Sequence, residues 1–98
     1  MKVILKEILE DRSYTEGGTV LFQIAEIAVN TGDTVYVDMQ DVTAIPTLFM
    51  NTSFGNLMDK YGIDKIKKLF RFNNATRIQI NRIQKYFNDF QILYNQLV

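Results

Sequence analysis

The 98-residue chain contains no histidine and no cysteine. Without histidine it lacks the side chain that titrates near neutrality and most often serves as a general base. Without cysteine it has no thiol nucleophile, no thiolate metal ligand and no disulfide framework pointing to an oxidising compartment. A Ser–His–Asp triad is ruled out as well. No apolar run is long enough to span a bilayer. The first seven residues, Met1 to Glu7, carry a charge every few positions, unlike a signal-peptide core. No glycine-rich phosphate loop is present, and the pair Gly17-Gly18 reads more simply as a turn than as an anion site. These absences set the expectation of a cytoplasmic, non-enzymatic protein with no cofactor, no metal and no membrane partner.

What the chain does have is apolar mass: 47% of its residues are hydrophobic, with seven Phe and five Tyr. A chain of this length folds as one domain, residues 1–98, and buries roughly two-thirds of its unfolded surface around one core. Net charge is zero, yet residues 1–49 hold three basic and eight acidic groups and residues 50–98 hold eight basic and three acidic ones. Such asymmetry either flags a nucleic-acid or acidic-partner surface or cancels when the halves pack together.

Hydrophobic periodicity predicts a first strand over Val3–Leu9 and a polar exit over 10–13. A helix to about Asn30 follows, entered through a turn at 14–19 with Thr15 or Thr19 as cap, its face made by Val20, Ile24, Ile27 and Ala28, and Gly32 closing it. Thr34–Met39, β-branched and aromatic, is the clearest strand. After a loop, the only proline, Pro46, opens a helix over Thr47–Tyr61 that Thr47 caps or whose first turn Pro46 occupies; Gly62 ends it. Gly55, inside this helix, points to close approach by another element. A short helical turn at 63–66, a third strand over Lys68–Phe72 and a long last helix complete the chain. The stripe Ile83, Phe87, Phe90, Tyr94 and Leu97 marks that helix as amphipathic. The order strand–helix–strand–helix–strand–helix predicts an α/β fold, with a small mostly parallel or mixed sheet of three to four strands packed with helices.

Three groups are candidates for function. Asp33, Asp38 and Asp41 bracket the second strand and could hold magnesium, or could serve only as caps and turns. Lys65, Lys67, Lys68, Arg71, Arg77, Arg82 and Lys85, interleaved with Phe70, Phe72 and Tyr86, form either a nucleic-acid grip or a solvated face. The segment Ala44–Gly55 sets Thr47, Asn51, Thr52 and Ser53 in an apolar helix start directly after a strand, where α/β domains commonly present binding groups. The alternative is a Thr47 cap with Asn51, Thr52 and Ser53 on the wet side.

Val35–Val42, a hydrophobic strand running into Asp38 and a small loop, and then Pro46–Leu57, a Pro-Thr-hydrophobic helix start followed by Phe54-Gly55 and Leu57, resemble a bacterial STAS-like family of unknown function. Gly17-Gly18 suits that pattern too, and the resemblance spans roughly residues 14–90. The family is distantly similar to anti-sigma-factor antagonists, and the resemblance implies the STAS fold, a kinase-like ATPase or other regulator as protein partner, and a switch by phosphorylation at the helix start. By position Thr47 is the matching hydroxyl; Pro46 stands where the antagonists carry Asp, and their following glycine is missing.

The leading expectation is a STAS-like regulatory module that binds a protein through residues 45–56, gated at Thr47, with Thr47, Asn51, Thr52, Ser53 and Asp41 as contact or switch residues. The alternatives are a nucleic-acid-associated protein using Lys67, Lys68, Arg71, Arg77, Arg82 and Lys85, and a mobile-element-encoded inhibitor of a host complex. A magnesium enzyme using Asp38 and Asp41 ranks last. Ile78, Ile80 and Ile92, outside the main stripe of the last helix, are available to pair two copies.

Overall fold

The computed structural model describes residues 1–97. Three short parallel strands stand in the order β1 (Lys2–Ile4), β2 (Val35–Asp38), β3 (Phe70–Asn73), joined by helical crossovers. The first crossover holds α1 (Leu5–Leu9) and α2 (Tyr14–Thr31). The second is one helical run, α3 (Thr47–Met50), a π-helical turn over Asn51–Gly55 and α4 (Asn56–Tyr61), followed by α5 (Ile63–Leu69). The last helix, α6, runs Arg77–Leu97. The α/β class, the parallel sheet and the alternating order expected from the sequence are all present.

Strand length is set by pairing. Ile4 pairs with Asp38, the last residue of β2, so beyond Ile4 β1 has no ladder to join. The chain turns helical there, and Leu5 and Ile8 become the buried face of α1, where alternation had suggested strand to Leu9. At the other end Phe70 pairs with Val35, the first residue of β2, so Lys68 and Leu69 stay in α5 rather than opening the third strand.

α2 starts earlier than its apolar residues suggested. Its N-cap is Ser13, not Thr15 or Thr19, in a reciprocal box: Glu16 N–H donates to Ser13 Oγ at 3.1 Å and Ser13 N–H to Glu16 Oε1 at 3.2 Å. Gly17 and Gly18 therefore lie in the helix, and its buried face is Gly17, Gly18, Leu21, Ala25 and Ala28, while Ile27 is 56% exposed. Gly32 closes α2 in the left-handed conformation, φ 74°. A side chain on Gly18 would strike the Thr52 side chain and come within 2.7 Å of the Phe49 carbonyl oxygen, so this small face lets α2 lie against the 47–61 run.

The core centres on Phe54, in the π turn. Its ring meets those of Phe70 at 5.1 Å, Phe87 at 5.3 Å, Phe72 at 6.0 Å and Phe49 at 6.3 Å, mostly edge to face. These rings tie β3 and α6 to the second crossover. α6 enters through a Thr76–Gln79 box, and Gln79 also donates to the Val42 carbonyl, tethering the loop after β2. Of the predicted α6 stripe, Ile83 and Phe87 are buried and Phe90 is half-buried, whereas Tyr94 is exposed; Leu97's side chain lies outside those described.

Among the described residues, one face of the sheet is covered and the other is open. Val3, Val35, Val37 and Phe70 point into the core, while in-register Lys2, Tyr36 and Arg71 form an exposed row on the other face. Parallel sheets are seldom left open on one side.

Candidate functional site

The helix start after β2 is built by Pro46, which sits at the N-cap with extended backbone, φ −68° and ψ 156°, and offers no side-chain cap. Thr47 is then the first helical residue, exposed, with its hydroxyl free for another element. Arg82 of α6 supplies the contact: its Nε donates to the Ile45 carbonyl at 2.7 Å and its Nη2 to Thr47 Oγ1 at 3.3 Å. One turn further, Tyr86 Oη donates to Asn51 Oδ1 at 2.6 Å. Burial, with Asp59 as a smaller contributor, pushes the Tyr86 phenol above its ordinary pKa.

Between these contacts and the outer turns of α6 lies a groove of about 540 Å³. Thr47, Met50 and Asn51 line one wall, and Arg82, Lys85, Tyr86, Asp89, Phe90 and Leu93 the other. Lys85 is held by Asp89 at 2.7 Å, and both are largely exposed. The structure thus joins the helix-start segment and part of the basic stretch, which the sequence suggested as separate sites.

The other expected site residues fall elsewhere. Ser53 is fully buried and donates to the Phe49 carbonyl at 2.8 Å, so it leaves the candidate surface and the wet side alike. Thr52 is half-buried against Gly18 and returns its hydroxyl to the Leu48 and Phe49 carbonyls, at 3.1 and 3.2 Å. Both hydroxyls serve the π turn, where the Asn56 N–H reaches back five residues to the Asn51 carbonyl. Asp41 adopts a left-handed turn, φ 62°, and lines a separate recess with Lys6, Arg12 and Tyr14.

Among the described residues Asp33, Asp38 and Asp41 form no metal-binding group. Asp33 accepts from the Thr31 hydroxyl at 2.8 Å at the start of β2. Asp38, at its end, accepts from Asn74 Nδ2 and the Gln40 N–H, each at 3.0 Å. The Asn74 bond first and the Gln40 bond second hold the Asp38 carboxyl below its ordinary pKa.

The basic residues are spread over three elements: Lys65, Lys67 and Lys68 are exposed on α5, Arg71 on the open sheet face, and Arg77, Arg82 and Lys85 on α6. Their interleaved aromatics are engaged: Phe70 and Phe72 pack on Phe54, and Tyr86 is bound to Asn51.

Arg82 and Tyr86 were missed as partners of the helix start. Arg82, Tyr86, Asp89 and Leu93 recur at helical spacing one step round α6 from the stripe that includes Ile83, Phe87 and Phe90, so a second face was readable, but not the element it meets.

The family model of a STAS-like domain of unknown function (DUF4325) matches residues 16–78, from the first turn of α2 to the start of α6. It includes the helix start at Thr47 and stops short of the α6 wall of the groove. No curated protein and no solved structure matches the chain. Among the described residues no helix is long and apolar enough to cross a membrane.

Proposed function

The chain belongs to the STAS-like family of unknown function, and on that premise we propose that it is a non-enzymatic module that docks a protein partner, a kinase-like ATPase or other regulator, in the groove between Thr47 and α6. The observation that carries this reading is the reach of Arg82 and Tyr86 across to Thr47 and Asn51, which turns a helix start into one wall of a groove. In the same reading phosphorylation of Thr47 is the gate. Arg82 and Lys85, against Asp89, leave the groove one positive charge in excess. A phosphate on Thr47 adds about −1.5 to −2 charge and reverses that sign. It would be held where it forms, by the adjacent guanidinium and the helix N-terminus.

The test is an affinity capture from native lysate with tagged wild type beside Thr47→Glu, each with and without nuclease. A protein retained by wild type and lost by Thr47→Glu supports docking at the helix start. Equal retention by both removes Thr47 from the interaction.

A second reading has its own observation. On the open sheet face Tyr36, 45% exposed, stands in register between Lys2 and Arg71. An aromatic ring between two cations suits a base and its flanking phosphates in single-stranded nucleic acid. A partner lost only after nuclease, with binding that falls steeply as salt rises, would move the function to this face.

A further inference from the structure

We propose that the groove recognises an acidic-apolar motif: a partner segment that lays one apolar side chain on Met50, Phe90 and Leu93 and sets a carboxylate against Arg82 and Lys85. This rests on the docking reading above and specifies the chemistry of its partner.

The groove is divided along α6. Its cationic part is Arg82 and Lys85. Two of the guanidinium's five N–H groups are committed, to Ile45 and Thr47, so three remain. Lys85 spends one ammonium donor on Asp89 and keeps two. A planar carboxylate matches the free edge of the guanidinium with paired hydrogen bonds, which a neutral amide does not, and a basic group would be repelled. Asp89 is the one acid in the groove, and Lys85 already holds it.

The apolar part lies further along the helix. Met50 is buried at the floor, Phe90 is half-buried, and Leu93 is 60% exposed. At about 1.5 Å of rise per residue, the cationic and apolar parts are separated by roughly 8–16 Å. An extended segment covers that in about two to five residues, at roughly 3.3 Å each. The volume of about 540 Å³ accommodates side chains but not a folded domain. The predicted motif is therefore Asp or Glu placed about two to five residues from Leu, Ile, Met or an aromatic.

The probe is a phage-displayed library of random linear peptides, selected on the immobilised full-length chain. Enriched peptides should share that acid-to-apolar spacing, and changing their acid to its amide should weaken binding by about tenfold or more. Arg82→Gln should weaken the same peptides comparably. Because Arg82 also holds the Ile45 carbonyl, Lys85→Gln and Leu93→Asp provide variants at exposed positions, and each should weaken binding several-fold. No enrichment, enriched peptides without an acid, or binding unmoved by both Lys85→Gln and Leu93→Asp overturns the proposal. If affinity capture yields a Thr47→Glu-sensitive protein while selection yields no acidic motif, docking stands and this motif falls; failure of the capture alone strikes at the docking reading.

Discussion

The helical run from Thr47 to Tyr61 has two sides made of similar residues and put to different uses. On its inner side Thr52 and Ser53 return their hydroxyls to their own backbone, beside Gly18 and Phe54. On its outer side the Thr47 hydroxyl and the Asn51 amide oxygen accept from another helix, from Arg82 and Tyr86. The inner side is the more closed one, with Ser53 and Phe54 both at most 2% exposed and Thr52 half-buried. The outer side keeps a groove. The use of a small polar residue here depends on the element it faces: a hydroxyl in the core must satisfy itself locally, whereas one at the rim is left to bridge.

The largest way to break this contrast is Gly18→Ala. The new methyl meets the Thr52 side chain and the Phe49 carbonyl oxygen at 2.7 Å, and a helix backbone cannot step aside as a flexible side chain can. Overpacking of this kind should cost about 3 kcal/mol and lower Tm by roughly 10–20 °C, read by thermal melting. Next is Ser53→Ala, which removes a buried hydrogen bond and should cost about 1 kcal/mol. Thr47→Ala on the outer side should stay within about 0.5 kcal/mol of wild type. Equal losses at Ser53 and Thr47 in chemical denaturation would erase the distinction between the sides.

Gly55→Ala is smaller still. Its methyl meets only the end of the Tyr86 side chain, at 2.5 Å, and alanine in a helix interior gains about 1 kcal/mol over glycine. Tm should therefore move little, while displacement of Tyr86 from Asn51 should appear in the amide resonances of Asn51 and its neighbours. Unmoved resonances would mean that Tyr86 is not held there in solution.

The smallest effect is on acid stability, away from both sides. Glu26 is held below its ordinary pKa of 4.5, first by the Lys60 hydrogen bond and then by that of Tyr61, and Glu16 is held down by Ser13. Folding favours the ionised forms, so their contribution is present above the unfolded pKa and is lost as pH falls through the lower folded value. Tm should decline on acidification below about pH 4.5, and Glu26→Gln should make that decline shallower. An identical acid limb in the variant would show that Glu26 carries none of it.

Much of this was readable from residue order. The 47–61 helix, its closure at Gly62, the close approach at Gly55 and the alternation of strands and helices follow from local chemistry, since proline, glycine and apolar spacing act on their own stretch of chain. The errors are of one kind. Alternation in Val3–Leu9 has no strand to pair with beyond Asp38, so the chain turns helical there. Gly17-Gly18 imitates a turn, and only the Ser13–Glu16 box and the facing Thr52 show it to be a helix face. Ser53 looks like a surface residue among Asn51 and Thr52, but it lies one turn past Phe49, and tertiary packing buries that face.

Sequence by itself determined which side chains are available and the order of the elements: no histidine and no cysteine, the alternating strands and helices of an α/β fold, and a family likeness carried by the strand that ends in Asp38 and the helix that opens at Pro46. Tertiary structure decided which polar groups meet. Arg82 and Thr47 are 35 residues apart and hydrogen-bonded, as are Tyr86 and Asn51. No local rule relates such pairs, because the burial of Phe54 against Phe70, Phe72 and Phe87 is what brings α6 to the helix start, and a groove exists only once two distant walls have been brought together.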